Sequence, residues 1–446
     1  MFALLLCRLP GSVRAQQREP ENASPPGFDL GSLFDRSGSI WQYSPDKLRE
    51  VVPAAHFTLM AGAQDEISAV STDPHLAFAS IPIMETTARF ISGELQEMIL
   101  YVYNQGDAGN MNRKVFDNIV ADSQKRLSDN LKTKPSPVIT GNRPTGAVLE
   151  SCSWAAPPYR VDLEWGYTRS RIVSGTRFPA RTEYIRIRAT PFDAANDPRR
   201  ILSGSALKSD RADLSARQLT GHVARHKNGD VLINGIPMVD QGEKGYCVVA
   251  TAERIFRYYA VDIDQHELAQ LARTSAAGGT NPQIMLDVLR KTASTLGIQV
   301  REHYRLQERE LERLIDRYDR AARRARIRGI DPEAINSLSD LYDQMNLPIL
   351  KQVRLTPRSA FTRFIGDVRE KIQAGIPLAW SVMLGKVAES ERVLQTGPHM
   401  RLIIGYNDHD SEVIYSDSWG DRHALKRMDP GNAWTITLGL FTLEPR

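Results

Sequence analysis

Residues 239–250, Val239-Asp240-Gln241-Gly242-Glu243-Lys244-Gly245-Tyr246-Cys247-Val248-Val249-Ala250, bring an amide, two glycines and a thiol into one short stretch. The glycines permit a tight backbone turn, and Cys247 then opens a segment whose Ala252, Ile255, Phe256 and Tyr259 share one face at helical spacing. A thiol at a helix N-terminus meets the positive end of the helix dipole and N–H groups that lack intrahelical acceptors, and both favour thiolate. A nearby imidazolium would lower its pKa further. The same N–H groups can hold a developing oxyanion, and the Gln241 side-chain amide offers a second donor. The bland reading of a cysteine at a helix start is a small buried hydrophobe, and Gln241 could simply satisfy a turn. The combination of amide, glycines and thiol favours a nucleophile.

Other candidates for chemistry are weaker. His222 and His226 are four residues apart but lack the adjacent Glu of a zinc-peptidase helix. Asp408 and Asp410 lack the Gly and terminal Glu of a calcium loop. Gly278-Gly279-Thr280-Asn281 is followed by no Gly-Lys-Ser/Thr, so it reads as the approach to a helix at Pro282 and not as a phosphate loop. The three cysteines, Cys7, Cys152 and Cys247, are too few and too scattered for a disulfide framework or a thiolate zinc site. No cofactor and no metal are expected, and a functional thiol would act alone.

The elements that must position Cys247 begin with the chain as a whole. At 446 residues, with 41% hydrophobic and 25% charged residues, it is too long for one modest core and too apolar to be wholly disordered. No apolar run reaches the length of a membrane-spanning helix. Lys and Arg number 57 against 53 acidic residues, a net charge of +4 that argues against a dedicated nucleic-acid binder. The arginines between Glu308 and Arg328 interleave with Glu308, Glu310, Glu312, Asp316 and Asp319, which reads as a solvated helix face. Met1 to Ala15 reads as the remnant of a secretory signal with a cut after Ala15, which would remove Cys7 and make the protein secreted or periplasmic; a cytoplasmic protein is the alternative.

Four spans follow: a signal remnant and flexible leader over 1–27, an α+β domain with an antiparallel sheet over 28–200, a polar linker over 201–229, and a second α+β domain over 230–446. In the first domain the patterns predict a helix over Pro45–Val52 capped by Ser44, strands over Leu76–Ile91 and Leu95–Tyr103 joined through Ser92-Gly93-Glu94, and a turn at Asn104–Asp107. A helix over Asn112–Leu131 and strands over Ala147–Trp154, Tyr159–Tyr167 and Thr182–Ala189 complete it. In the second, a strand over Asp230–Met238 precedes helices over Tyr246–Tyr259, Gln265–Arg273 (capped by Asp264), Pro282–Leu296 and Glu308–Arg328. Strands are then expected over Ile376–Met383, Met400–Tyr406, Val413–Asp417 and Ala433–Leu443.

The run Gln241-Gly-x-x-Gly-x-Cys247 resembles the active-site loop and helix of papain-like cysteine peptidases. Gly397-Pro398-His399, ahead of the apolar run Met400 to Tyr406, and Ser416-Asp417-Ser418-Trp419-Gly420 resemble that family's other two boxes and occur in the same order. His399 and Asp417 lie about 150 and about 170 residues after Cys247, close to the ~130–150 typical of such enzymes. Asp417 in place of Asn, and Tyr246-Cys247-Val248 around the thiol, are more similar to the bacterial bacteriocin-processing (double-glycine leader) peptidases and their stand-alone relatives. The resemblance covers about Asp230 to Arg446. It implies a papain-like fold, a peptide or protein substrate, Cys247 as nucleophile, His399 as general base and acid, Asp417 as the orienting carboxylate and Gln241 as oxyanion donor. Specificity in such a fold lives in pocket walls from loops, expected here around Gly278–Gln283 and Gln352–Phe364. His399 could otherwise be a core histidine, His409 is the rival base, and Asp417 could be a strand-end cap. The same triad would support acyl transfer or amidase chemistry, and a non-catalytic peptide-binding module of this fold is the alternative from another class.

Overall fold

The computed structural model describes residues 27–62, 66–142, 147–173, 176–178, 180–192, 216–242, 245–261, 263, 265–272, 285–287, 289–290, 297–389 and 396–445. The leader and signal expectation over 1–26, the linker over 201–215, the Asp264 cap, the loop at Gly278–Gln283 and most of the expected Pro282–Leu296 helix lie outside them. The described residues form an α+β structure with two large antiparallel sheets. Among the described residues no helix is long and apolar enough to cross a membrane.

The N-terminal sheet comprises β1 (Thr58–Ala61), β2 (Glu66–Ser71), β3 (Glu85–Ile91), β4 (Glu94–Asn104), β5 (Ile139–Asn142), β6 (Ala147–Ala156), β7 (Tyr159–Thr168) and β8 (Arg181–Pro191), in the order β1-β2-β3-β4-β8-β7-β6-β5. β3 and β4 close through Ser92 and Gly93, both at positive φ, the turn geometry that matches strand twist in a tight hairpin. Along β7, Val161, Leu163, Trp165 and Tyr167 enter the core with Phe116, Val120 and Leu127 of the helix Arg113–Leu131. The alternate residues Arg160, Asp162 and Glu164 fall on the opposite face, as period-two geometry requires, yet they are buried too. What buries part of that second face is the C-terminal half. An alternating chain of ion pairs crosses it: Glu97 meets Arg89 (3.1 Å) and Arg188 (2.8 Å), Arg89 meets Glu66 (3.2 Å), and Glu164 meets Arg186 (2.6 Å). Its two ends pass into the C-terminal half, Glu66 to Arg257 and Arg186 to Glu267 (2.6 Å).

The second sheet comprises β9 (Val223–Arg225), β10 (Asp230–Ile233), β11 (Ile298–Arg305), β12 (Leu378–Leu384), β13 (Gly397–Asn407), β14 (Glu412–Ser416), β15 (Lys426–Met428) and β16 (Thr437–Pro445). Its path is β9-β10-β13-β12-β16-β11, with β14 also paired to β13 and β15 to β14. The helix Cys247–Tyr258 packs on it with Val249, Ile255 and Phe256 fully buried. The longer amphipathic helix Glu308–Arg324 turns Leu311, Leu314 and Tyr318 inward and its charges outward, as its spacing predicts.

Several expectations need correction. Residues 216–229 are not linker: the helix Ala216–Gly221 and β9 belong to the second half, β9 pairing with β10. The expected strand at Ala433 begins only at Thr437, because Pro430 and an Asp429 cap start a helix over Pro430–Ile436. Asn104 caps a short helix, Gln105–Ala108, where a turn was expected, and Leu76–Ile91 is broken into three short strands. The expected loop at Gln352–Phe364 is mostly helical, shared between Leu347–Arg354 and Arg358–Gln373.

Gly405 pairs with Leu232 where β13 meets β10, and a Cβ there would lie 2.5 Å from the Val231 carbonyl oxygen. Gly405→Ala is expected to destabilise the fold by about 1–3 kcal/mol through overpacking, read as a lower midpoint in urea titration.

Candidate active site

Cys247 is the first residue of its helix, and Tyr246 precedes it as an N-cap that supplies no side-chain cap. The first intrahelical bond from this end is Ala250 N–H to the Tyr246 carbonyl (2.8 Å), so the N–H groups of Cys247, Val248 and Val249 come before the helical ladder begins. His399 is the third residue of β13, opposite Val382 of β12. Asp417 directly follows β14, whose Ser416 pairs with Leu402 of β13. Strand pairing therefore carries Asp417 back beside the start of β13, although many residues of chain separate the two.

These elements bring three of the sequence-derived residues together. His399 and Cys247 stand close enough to act on each other's titration. The His399 Nε2–H donates to Asp417 Oδ1 (3.2 Å). Trp419 stacks flat on the His399 ring, 4.4 Å between centroids and 15° between planes, and shields the His399–Asp417 pair from one side. Asp417 is fully buried, His399 nearly so, and Cys247 is half-buried. The fourth residue, Gln241, is buried in the same region, its backbone N–H donating to the Ser418 carbonyl (2.9 Å) next to Asp417.

The electrostatics follow from burial set against partners. Burial pushes the Cys247 thiol up, but the hydrogen bond and charge of His399, with the backbone N–H groups of Met400 and Val248, bring it below its ordinary value. Burial would depress His399, yet Asp417 and Cys247 hold it above the ordinary imidazole range. Asp417 is likewise opposed by burial, and His399, Arg401 and Lys426 keep it well below the usual carboxylate range. A lowered thiol beside a raised imidazole favours the thiolate–imidazolium pair. Cys152 is the internal contrast. It is buried beside the Gln124 amide (3.5 Å), and burial pushes its thiol up to about 11, which disfavours the reactive thiolate.

Sequence reasoning missed the charges around Asp417. Arg401 is fully buried and its Nε–H donates to Asp417 Oδ1 (2.8 Å), while its Nη2 reaches Glu389 (2.9 Å). Lys426 Nζ lies 3.2 Å from Asp417 Oδ2, and the Tyr415 hydroxyl donates to Glu389 (2.8 Å). Arg254, buried on the Cys247 helix, donates to the carbonyls of Pro237 (2.8 Å) and Asp417 (3.0 Å) and to Ser416 Oγ (2.7 Å), tying that helix to both flanking loops. Arg401 left a signal in the sequence, a charge inside the apolar run Met400 to Ile404; Glu389 and Lys426 left none.

The other candidates are placed elsewhere. His409 sits in the turn between β13 and β14, at the opposite end of β13 from His399 and so roughly 30 Å away at ~3.4 Å per residue, which removes it as the base. His222 bonds the Tyr258 hydroxyl (3.1 Å), and Asp408 pairs with Arg369 (2.5 Å). Among the described residues no group of three or more His, Cys, Asp or Glu side chains could hold a metal ion.

Two outcomes are expected from this geometry. Iodoacetamide should alkylate Cys247 at a pH below that of an ordinary thiol, because its pKa is lowered, and His399→Ala should move that profile upward; mass spectrometry of the labelled peptide reads both. Arg401→Met should cost about 3–5 kcal/mol, since it strands buried Asp417 and Glu389 charge, as measured by chemical denaturation.

Compared with known proteins, the chain matches no curated protein. Residues 233–437 match the model of the Peptidase_C39 like family, and that span contains Gln241, Cys247, His399 and Asp417. By this match the segment is similar to a peptidase family, which supports the papain-like cysteine peptidase resemblance of its three boxes.

Proposed function

We propose that this protein is a cysteine peptidase whose Cys247 thiolate attacks a peptide carbonyl. The observation that carries this reading is the grouping of Cys247, His399 and Asp417, with a lowered thiol, a raised imidazole and a buried carboxylate on His399 Nε2. In the first step the Cys247 sulfur bonds to the carbonyl carbon, and the tetrahedral oxyanion is held by N–H groups at the start of the Cys247 helix and by the Gln241 amide. His399 then gives its proton to the leaving amine as the C–N bond breaks, which leaves a thioester on Cys247. Water attacks the thioester with His399 taking its proton, and the acid product and the thiolate–imidazolium pair are released. Asp417 stays ionised throughout, fixing the ring and stabilising its charged form. No cofactor enters these steps.

The signal-like segment over 1–15 supports placing this activity outside the cytoplasm. Incubation of the protein with an unbiased peptide library should yield new termini by mass spectrometry. Cys247→Ala should abolish them while leaving the fold intact, and Asp417→Asn should reduce their rate of appearance by two or more orders of magnitude. A folded wild-type protein whose products are unchanged in Cys247→Ala would sink the peptidase reading.

A further inference from the structure

The residue that precedes Cys247 in the chain belongs to the buried core of the C-terminal half and also reaches the N-terminal half. The ring of Tyr246 is buried against the backbone of Gly106, in the short helix Gln105–Ala108 of the N-terminal half. A Cβ built on Gly106 would lie 2.5 Å from both Cζ and Oη of Tyr246 and 2.8 Å from its Cε1. Gly106 is not among the glycines at positive φ, so its missing side chain answers to the tyrosine and not to the turn. On its other side Tyr246 packs edge-on against His266 (5.5 Å), which lies 4.2 Å from Tyr101 of β4.

A second contact binds the flanking loops. Ala61, the last residue of edge strand β1, accepts from the N–H of Met238 (2.8 Å), three residues before Gln241. The same strand lies against the short helix Asp421–His423, which begins four residues after Asp417. The edge strand of the N-terminal half thus meets both segments that lead to the site.

We propose that the N-terminal half is the positioning element of this site: Tyr246, seated on Gly106, fixes where the N-terminus of the Cys247 helix stands relative to His399. The role assigned to Cys247 rests on the peptidase reading; the contact does not. The Tyr246 carbonyl receives the first bond of the helix, so the helix start cannot shift without lifting the ring from Gly106. A displacement of about 1 Å at a reacting group is enough to cost ~10²-fold in rate. Tyr246 and Gly106 are positioning residues, acting through Cys247 and not on substrate.

The test is a double-mutant cycle in the full chain: Gly106→Ala, Tyr246→Ala and both together, with Val115→Ala on the exposed face of the Arg113–Leu131 helix as control. Two quantities are read, the rate of Cys247 alkylation by iodoacetamide at neutral pH and amide hydrogen exchange of a peptide spanning residues 239–250. Gly106→Ala is expected to slow alkylation roughly tenfold and to speed exchange, although alanine in an open helical position is ordinarily stabilising. In the Tyr246→Ala background the same substitution should add nothing, because its Cβ then meets no ring, and Val115→Ala should change neither quantity. Wild-type alkylation and exchange in folded Gly106→Ala, or additive effects in the double variant, would overturn the proposal. Should Gly106→Ala fail to fold by circular dichroism, Tyr246→Ala alone decides by the same two readings. An ordinary, unactivated Cys247 in the wild type would sink the peptidase reading, while exchange over residues 239–250 would still decide the contact.

Discussion

The structure around Cys247 depends on a carboxylate, Asp417, that has been taken wholly out of water. A lone buried charge of this kind would neutralise by binding a proton, and a protonated Asp417 could not stabilise a charged His399. Arg401 and Lys426 prevent that, one on each carboxylate oxygen, and Glu389 answers their excess charge. The cluster is balanced only as a group. A neutral amide at 417 would leave two cations, Arg401 and Lys426, facing one carboxylate, Glu389, beside the His399 ring. Asp417 is therefore not interchangeable with the Asn of papain-type boxes in this chain, and the two cations explain why.

The second constraint is mechanical. The thiol stands at a helix N-terminus and the imidazole on a strand, so their alignment is the alignment of two separate elements. Thr251 Oγ makes only a long bond to the Met400 carbonyl (3.5 Å), whereas Arg254 makes three, all buried, to Pro237, Ser416 and Asp417. Burial lowers the Arg254 pKa to about 10, which still leaves it charged at neutral pH. Helix, Gln241 loop and Asp417 loop are thereby joined from inside, and Trp419 closes the assembly over His399.

Much of this was legible in the sequence because it is local. Helix Cys247–Tyr258, the Ser44-capped helix and the hairpin at Ser92-Gly93 follow from spacing, capping and turn chemistry, which act within a few residues. The three boxes around Gln241, His399 and Asp417 were legible as types in order. What stayed hidden is what chain distance conceals: Glu389 and Lys426 are ordinary surface letters until β13, β14 and β15 pair and bury them. The helix at Pro430–Ile436 was misread because Ala433 to Ile436 has the apolar look of a strand, while the deciding signals, Asp429 as cap and Pro430 after it, lie just upstream. Residues 216–229 were misread because a polar composition resembles a linker, even where β9 completes a sheet.

The same argument bears on the face between the two halves. An apolar face would have held them together at less cost, since buried ion pairs return little net stability once desolvation is counted. Apolar contacts, however, tolerate sliding by an ångström or more. An alternating row such as Arg257–Glu66–Arg89–Glu97 is satisfied in one register only, because a shift sets like charges opposite one another. Gly106 and Gly166 impose the same demand sterically, the first admitting Tyr246 and the second leaving room for Tyr184 and the Gln270 amide. A junction built from charges and close backbone approaches is suited to fixing position more than to adding stability. That property suits a neighbour of the loop and helix start that carry Cys247.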